Sequence, residues 1–218
     1  MTTEPLYPTL AALLKYIHPA PQRGAEWPFT RDIFVDVGAH HGLFSIEFAK
    51  RGAKVYAVEP YSLNVEELVK AVNAAEVNVS VMTLAMSDKD GSAELFHGGP
   101  STLHSLNPDM ARVLFPTLQE RERQPSELVQ TMRWGSFCKL LELDRVDILK
   151  DDAKWANVQV ITGVVEDGPL PRVICTEIRP DNEAKMYGML KNAGYRAVES
   201  IPLDGAREIY DVIFERDA

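Results

Sequence analysis

Cysteine is scarce in this chain: Cys138 and Cys175 are the only two in 218 residues, too few for a disulfide framework. Each lies in an apolar segment, so both read as buried thiols in a reducing compartment rather than as a bridge. Long apolar runs are missing as well. None approaches the roughly 20 residues of a bilayer span, so no membrane partner is expected. Met1 to Pro8 carries neither a basic start nor a long apolar stretch. A secretory signal is therefore not expected, and the cytoplasm is the expected location. Positive charge is in deficit, with 23 Lys and Arg against 32 Asp and Glu, a net charge of −9. Clustered Lys and Arg are what a wide nucleic-acid footprint needs, so no nucleic-acid partner is expected. Arg121 and Arg123 are able to form a local basic pocket or simply a solvated helix face. Repeats and low-complexity tracts are absent, which excludes a repeat array.

What remains is an ordinary globular composition, 45% hydrophobic and 25% charged, and the length suits one α/β domain. A core of that size needs neither disulfide nor metal staple. Leu6, Leu10, Leu13, Leu14 and Ile17 recur at helical spacing, so residues 6–17 read as an amphipathic helix that Pro19 and Pro21 end. Residues 1–30 are expected to form a helical arm ahead of a domain over 31–218. The arm has three possible uses: packing on the core, covering a site, or contacting a second subunit in a homodimer.

From Ile33 the pattern is regular. Strands are predicted at 33–37, 54–58 and 77–84, and helices at 43–51 and 62–75. Strand–helix–strand order implies a parallel sheet with right-handed crossovers. A possible extra strand at 92–96 and a loop over 98–105 follow. Residues 108–124 look like a polar helix broken at Pro116, so an insertion is expected over about 98–128. Further strands are predicted at 146–149 and 173–176, a helix at 181–192, and a closing antiparallel pair at 195–201 and 209–214.

The loop after the first strand, Asp36-Val37-Gly38-Ala39-His40-His41-Gly42, lies where open α/β sheets bind ligands. Its glycines permit tight turns, and its amides at a helix start suit a carboxylate. A dinucleotide fingerprint needs glycine at 40 and 43, but His40 and Leu43 stand there. An imidazole at the middle position obstructs a pyrophosphate, which disfavours a nicotinamide oxidoreductase. S-adenosylmethionine has no phosphate, and Asp36 is able to meet its ammonium or, alternatively, to cap the next helix. Glu59, 23 positions after Asp36, follows the second strand, where a carboxylate accepts hydrogen bonds from ribose hydroxyls. Leu84 to Asp88 is placed to cover an adenine or to form an ordinary turn.

Phe34 to Gly42, Val58-Glu59-Pro60, Ala85 to Asp88 with Gly91, and Val146 to Lys150 together resemble the FkbM-type methyltransferases. Val173 to Ile178, with Glu177, and Gly194-Tyr195 fit the same series. The resemblance implies a Rossmann-like class I methyltransferase fold, a mostly parallel sheet with a C-terminal antiparallel pair. It implies S-adenosylmethionine as cofactor and O-methylation of a small metabolite or sugar-containing acceptor. Cofactor contacts are expected from Asp36, Gly38, Ala39, His40, Gly42, Glu59, Pro60, Met86, Ser87 and Lys150. Asp152 and His41 are the expected catalytic pair, with Asp151, His40 and His104 as further proton acceptors. Asp151 and Asp152 with His97 or His104 also offer oxygen and imidazole ligands, but no metal is expected. Two positions depart from the family pattern. The segment Lys150-Asp151-Asp152-Ala153-Lys154-Trp155 carries Lys and Trp where the family has Glu and Gly, and Arg133-Trp134 replaces an expected Asp. These departures motivate the alternative of a degenerate, cofactor-binding regulator. Trp134 and Trp155 are read as core packing or as an aromatic acceptor wall.

Overall fold

A computed structural model describes residues 7–18, 32–97, 104–107, 126–203 and 208–216. The expected helix at 108–124, with Arg121 and Arg123, lies outside these residues.

The main sheet has seven strands. They are β1 (Ile33–Val37), β2 (Lys54–Val58), β3 (Val79–Met82), β7 (Ile148–Asp151), β8 (Val173–Ile178), β9 (Tyr195–Pro202) and β10 (Tyr210–Arg216), in spatial order β3-β2-β1-β7-β8-β10-β9. The first five run parallel, and β10 is antiparallel to β8 and β9. The α/β class and the closing antiparallel pair thus stand as expected. The helices are α1 (Pro8–Leu13), α2 (Leu43–Lys50), α3 (Ser62–Ala74), α4 (Trp134–Leu140), α5 (Asn157–Glu166) and α6 (Glu183–Asn192), with a 3-10 turn at Leu14–Tyr16. Helices α4 and α5 had no counterpart in the sequence pattern as read above.

A second sheet, β4 (Ala85–Ser87), β6 (Ser126–Arg133) and β5 (Gly91–Phe96), is ordered β4-β6-β5. Only β5 was expected. Burial alternates along the central β6, but the residue types do not follow it: Leu128 is 75% exposed while Thr131 is buried.

Central strands are buried on both faces, and successive residues enter different cores. Val35, Leu149, Ile174 and Val212 pack with α4 and α5 residues Trp134, Phe137, Val160 and Val164. Phe34, Ile148, Cys175 and Ile213 pack with Phe48 of α2 and with Leu10 and Leu13 of α1. Phe34 and Phe48 stack at 3.8 Å. Both cysteines are buried free thiols.

The arm helix is therefore part of the core. Leu10 and Leu13 are almost fully buried, and Thr9 Oγ1 donates to Asp211 Oδ2 at 2.7 Å. Leu13→Ala should cost about 2–5 kcal/mol, the usual range for emptying a buried leucine site. Urea unfolding measures it; an unchanged midpoint at constant slope would show that α1 is not integral to the fold.

Candidate active site

The strand order reverses beside β1, where the chain leaves for β2 on one side and returns to β7 on the other. Loops following β1 and β7 diverge there and open a crevice, the usual ligand position in such sheets. A cavity of ≈ 400 Å³ occupies it. Of the expected cofactor and catalytic residues, Gly38, Ala39, His40, His41, Glu59, Pro60, Met86, Lys150 and Asp152 line it, as does His104 of the further proton acceptors. Asp36, Gly42 and Ser87 do not. Ser87 Oγ turns to Asp88 at 3.2 Å, and Gly42 lies at the start of α2.

Parallel pairing sets Asp36 of β1 level with Lys150 of β7, on the sheet face that carries α2. Asp36 is closed off behind the cavity wall. Its Oδ2 accepts from Ser45 Oγ at 2.7 Å, while Oδ1 lies 3.6 Å from Lys150 Nζ and lacks a hydrogen bond among the described residues. Burial pushes the Asp36 carboxyl above its ordinary value, and Lys150 and Ser45 pull it back. The sequence expectation had Asp36 meeting a ligand directly; in the fold Lys150 faces the cavity in its place.

Lys150 is buried, its ammonium 4.7 Å over the Phe44 ring and 3.5 Å from Asp152 Oδ2. Burial alone favours the neutral amine, but Asp152 and Asp36 outweigh it and hold Lys150 above the usual lysine range. Asp152 also pairs with Lys154, whose Nζ reaches Glu177 Oε2 at 2.9 Å. Arg179 extends the chain, 3.1 Å from both Glu177 and Asp181 and stacked 5.0 Å from the Trp155 ring. Burial opposes ionisation of Asp152, yet the two lysines win and hold its carboxyl below the ordinary range.

The family departures acquire a physical form here. Trp155 has φ 56° and Lys154 φ 22°, so a left-handed position that glycine adopts freely is filled by tryptophan. Asn107 Nδ2 donates to the Trp155 carbonyl at 3.3 Å, and Ser105 Oγ to that of Lys154. Trp155 does not line the cavity, and Trp134 is wholly buried with Nε1 donating to Pro169 O at 2.8 Å. Neither forms an acceptor wall.

Gly38 is required by close approach: at φ 72°, a Cβ there would sit 2.6 Å from the Asp152 carbonyl oxygen. The amides of Gly38 and Ala39 donate to Val58 O at 2.9 and 3.1 Å, and that of Gly42 to Ala39 O at 2.8 Å. His40 N donates to Glu59 Oε2 at 2.9 Å. These amides are thus spent inside the protein, contrary to the expectation that the loop offers them to a carboxylate. Glu59 Oε1 accepts from Tyr61 N at 3.1 Å and Asn64 Nδ2 at 3.3 Å. Burial raises the Glu59 pKa and these donors moderate the shift. His40 and His41 stack at 3.7 Å.

Sequence reasoning missed Tyr7, Phe44 and Asn64 at the cavity. Asn64 had a signal, since it shares the buried i, i+4, i+8 stripe of α3 with Leu68 and Val72. The set weighed for a metal does not converge. Asp151 points to the opposite face from Lys150, accepting from Thr176 Oγ1 at 2.8 Å and Asn157 Nδ2 at 3.1 Å. Among the described residues no group of three or more His, Cys, Asp or Glu is arranged to hold a metal.

The methyltransferase FkbM domain model matches residues 36–197, which span the cavity-lining strands and loops. The chain belongs to the FkbM methyltransferase family. S-adenosylmethionine is the cofactor of this FkbM methyltransferase. The site fits it: the cavity at the switch point carries the carboxylates of Glu59 and Asp152, the buried ammonium of Lys150 and several apolar side chains on its wall. Solved structures share the fold. An rRNA methylase from Streptococcus thermophilus aligns with TM-score 0.51 and 10% identity, over 99% of this chain and 98% of that one. Magnesium protoporphyrin IX methyltransferase from Synechocystis PCC 6803, solved with bound SAM, aligns with TM-score 0.51 and 13% identity, over 96% and 75%. The Pyrococcus abyssi tRNA (uracil-54, C5)-methyltransferase has TM-score 0.51 and 14% identity, over 95% and 36%. No curated protein sequence matches this FkbM methyltransferase significantly.

Burial pushes Asp151 up to about 7, against the pull of Thr176, Asn157 and the Ala153 amide. The native state then holds a proton that the unfolded chain, near 3.8, has released. Stability from this group is therefore present at low pH and lost as pH rises from 4 through 7. The stability gap between wild type and Asp151→Asn, read by denaturant unfolding, should change by that amount across the window. A pH-independent gap would show that Asp151 stays ionised in the fold.

Proposed function

We propose that this FkbM methyltransferase O-methylates a hydroxyl of a small metabolite or sugar-containing acceptor. The observation that carries the reading is one cavity with Glu59 toward one end and the Lys150–Asp152–Lys154 cluster on its wall. In this reading the ribose hydroxyls donate to Glu59, whose three donors leave part of its carboxylate unfilled. Pro60 and Met86 border the nucleoside, and Lys150 holds Asp36 and Asp152 in register. Gly38 and Ala39 let the backbone approach, while His40 fixes Glu59. The net charge of −9 and the limited cavity favour a small acceptor over a polyanion.

Bound S-adenosylmethionine supplies a methyl on a sulfonium, open to in-line displacement, so alignment is the main demand on the protein. Asp152 is the proposed hydrogen-bond acceptor for the substrate hydroxyl. Its low pKa makes it a weak base toward a free alcohol. As the new C–O bond forms, however, the oxygen becomes oxonium-like and its proton far more acidic, and a carboxylate suffices to take it. His41, exposed at the cavity edge and stacked on His40, is the second candidate.

Glu59→Ala should weaken S-adenosylhomocysteine binding about 10- to 100-fold by calorimetry, the worth of charged hydrogen bonds. Unchanged affinity in a folded variant removes Glu59 from the site. Asp152→Asn should lower kcat about 10²- to 10⁴-fold toward a hydroxylated acceptor while cofactor affinity holds. In wild type, kcat should persist well below neutral pH. A fall near neutrality would assign the proton to an imidazole instead. Binding without turnover across acceptor classes would favour the regulator alternative, which rests on Lys154 and Trp155.

A further inference from the structure

Leu84, Ala85, Met86, Leu95 and Leu106 line the cavity, and Ala85, Leu95 and Leu106 belong to one apolar cluster that also holds Tyr61. This is an apolar slot. A flat heteroaromatic base buries well in such a slot, but its ring nitrogens lose their water there and need protein partners. The two residues before Leu106 that also line the cavity, His104 and Ser105, carry polar side chains. Ser105 spends its hydroxyl on the Lys154 carbonyl and on Asn107 N–H at 3.0 Å. His104 makes no hydrogen bond to any described residue.

The imidazole is nevertheless held in place. Its ring lies 4.2 Å from that of Tyr61 and 4.8 Å from that of His97. The next residue, Ser105, is bridged to Phe96 by paired backbone bonds of 2.9 and 3.1 Å. One ring nitrogen, Nδ1, is buried without a partner among the described residues. A buried N–H without an acceptor costs more than a buried lone pair without a donor. The favoured tautomer therefore leaves Nδ1 bare and carries its hydrogen on Nε2, the nitrogen not closed off. Burial, with His97 and His40 nearby, lowers the pKa of His104 to about 4, so the ring is neutral at physiological pH.

We propose that His104 is a cofactor-recognition residue that donates its Nε2–H to a ring nitrogen of the adenine. The assignment rests on the S-adenosylmethionine site described above and gives the slot its one directional contact. Tyr61 ties the two ends of the nucleoside together, since its amide binds Glu59 while its ring supports His104. The Lys154 and Trp155 carbonyls anchor the segment that carries His104, so base recognition and the acceptor-side loop share one support.

Calorimetry of the full chain with S-adenosylhomocysteine and its 1-, 3- and 7-deaza analogues tests this. His104→Phe keeps a flat ring and removes the donor; it should weaken S-adenosylhomocysteine about five- to tenfold. His104→Gln, which retains an amide N–H at similar reach, should recover most of the loss. Wild type should discriminate against one deaza analogue by the same factor, and His104→Phe should bind that analogue as well as the parent. Unchanged affinity in His104→Phe overturns the proposal, as does equal loss across all analogues, which would mark a packing role. If Glu59→Ala weakens binding but His104→Phe does not, only the histidine assignment fails. Wild type that does not bind S-adenosylhomocysteine overturns the cofactor placement and this proposal together.

Discussion

The site is organised around a buried ammonium. Lys150 lies on a central strand with both faces covered, where an unpaired charge would be prohibitively costly. It is retained because register brings Asp36 level with it on β1, and because Asp152, two residues on, turns back toward the same face. The charges that answer Lys150 also set the geometry of the crevice. Asp152 is drawn to the end of β7, and its carbonyl comes so near Gly38 that a side chain there would collide. From Asp152 the pairing continues through Lys154, Glu177 and Arg179 to the Trp155 ring. Six charged groups of alternating sign, from Asp36 to Arg179, thus tie together the ends of β1, β7 and β8. Removing an inner member, Asp152 or Lys154, would take one of two counter-charges from each of its neighbours, so the network favours a single arrangement of the acceptor-side loop.

The substitutions that set this chain apart from the family pattern belong to that network. Lys154 carries a positive charge where the family has a negative one, yet it sits between Asp152 and Glu177 and is neutralised by both. Trp155 occupies a left-handed backbone position, at a cost of order 1–3 kcal/mol. The Arg179 stack and the Asn107 bond offset that cost. The loop is altered in chemistry but remains anchored on both sides. Its neighbours also reach the adenine end of the cavity, because Ser105 and Asn107, which hold the loop, follow His104 directly in the chain.

Much of the fold was legible because the relevant signals are local. A strand buried on both faces is a short, nearly continuous apolar run, and Ile33–Val37 and Val173–Ile178 show it plainly. The closing pair and the crossovers follow from element order. Finer faces were less legible: Leu43 and Val69 are apolar yet 55% and 40% exposed, while Phe48 and the polar Asn64 are buried. The second sheet was hidden because β6 puts Leu128 on its exposed face and Thr131 on its buried one, so its apolar residues do not follow its alternating burial.

By itself, the sequence determined the α/β class and the cofactor family, since glycine spacing, an imidazole at the pyrophosphate position and a strand-end carboxylate are properties of contiguous residues. It also supplied ten of the residues that line the cavity, His104 among them. Tertiary structure alone decided what those groups face. Pairing across strands put Lys150 at the cavity and Asp36 behind it, spent the loop amides on Val58 and Glu59, and brought Tyr7 and His104 from distant segments to the same cavity. The reason is that register and burial act between residues far apart in the chain. Spacing along one segment records which groups are present, and only the folded sheet sets which neighbour neutralises or occupies each of them.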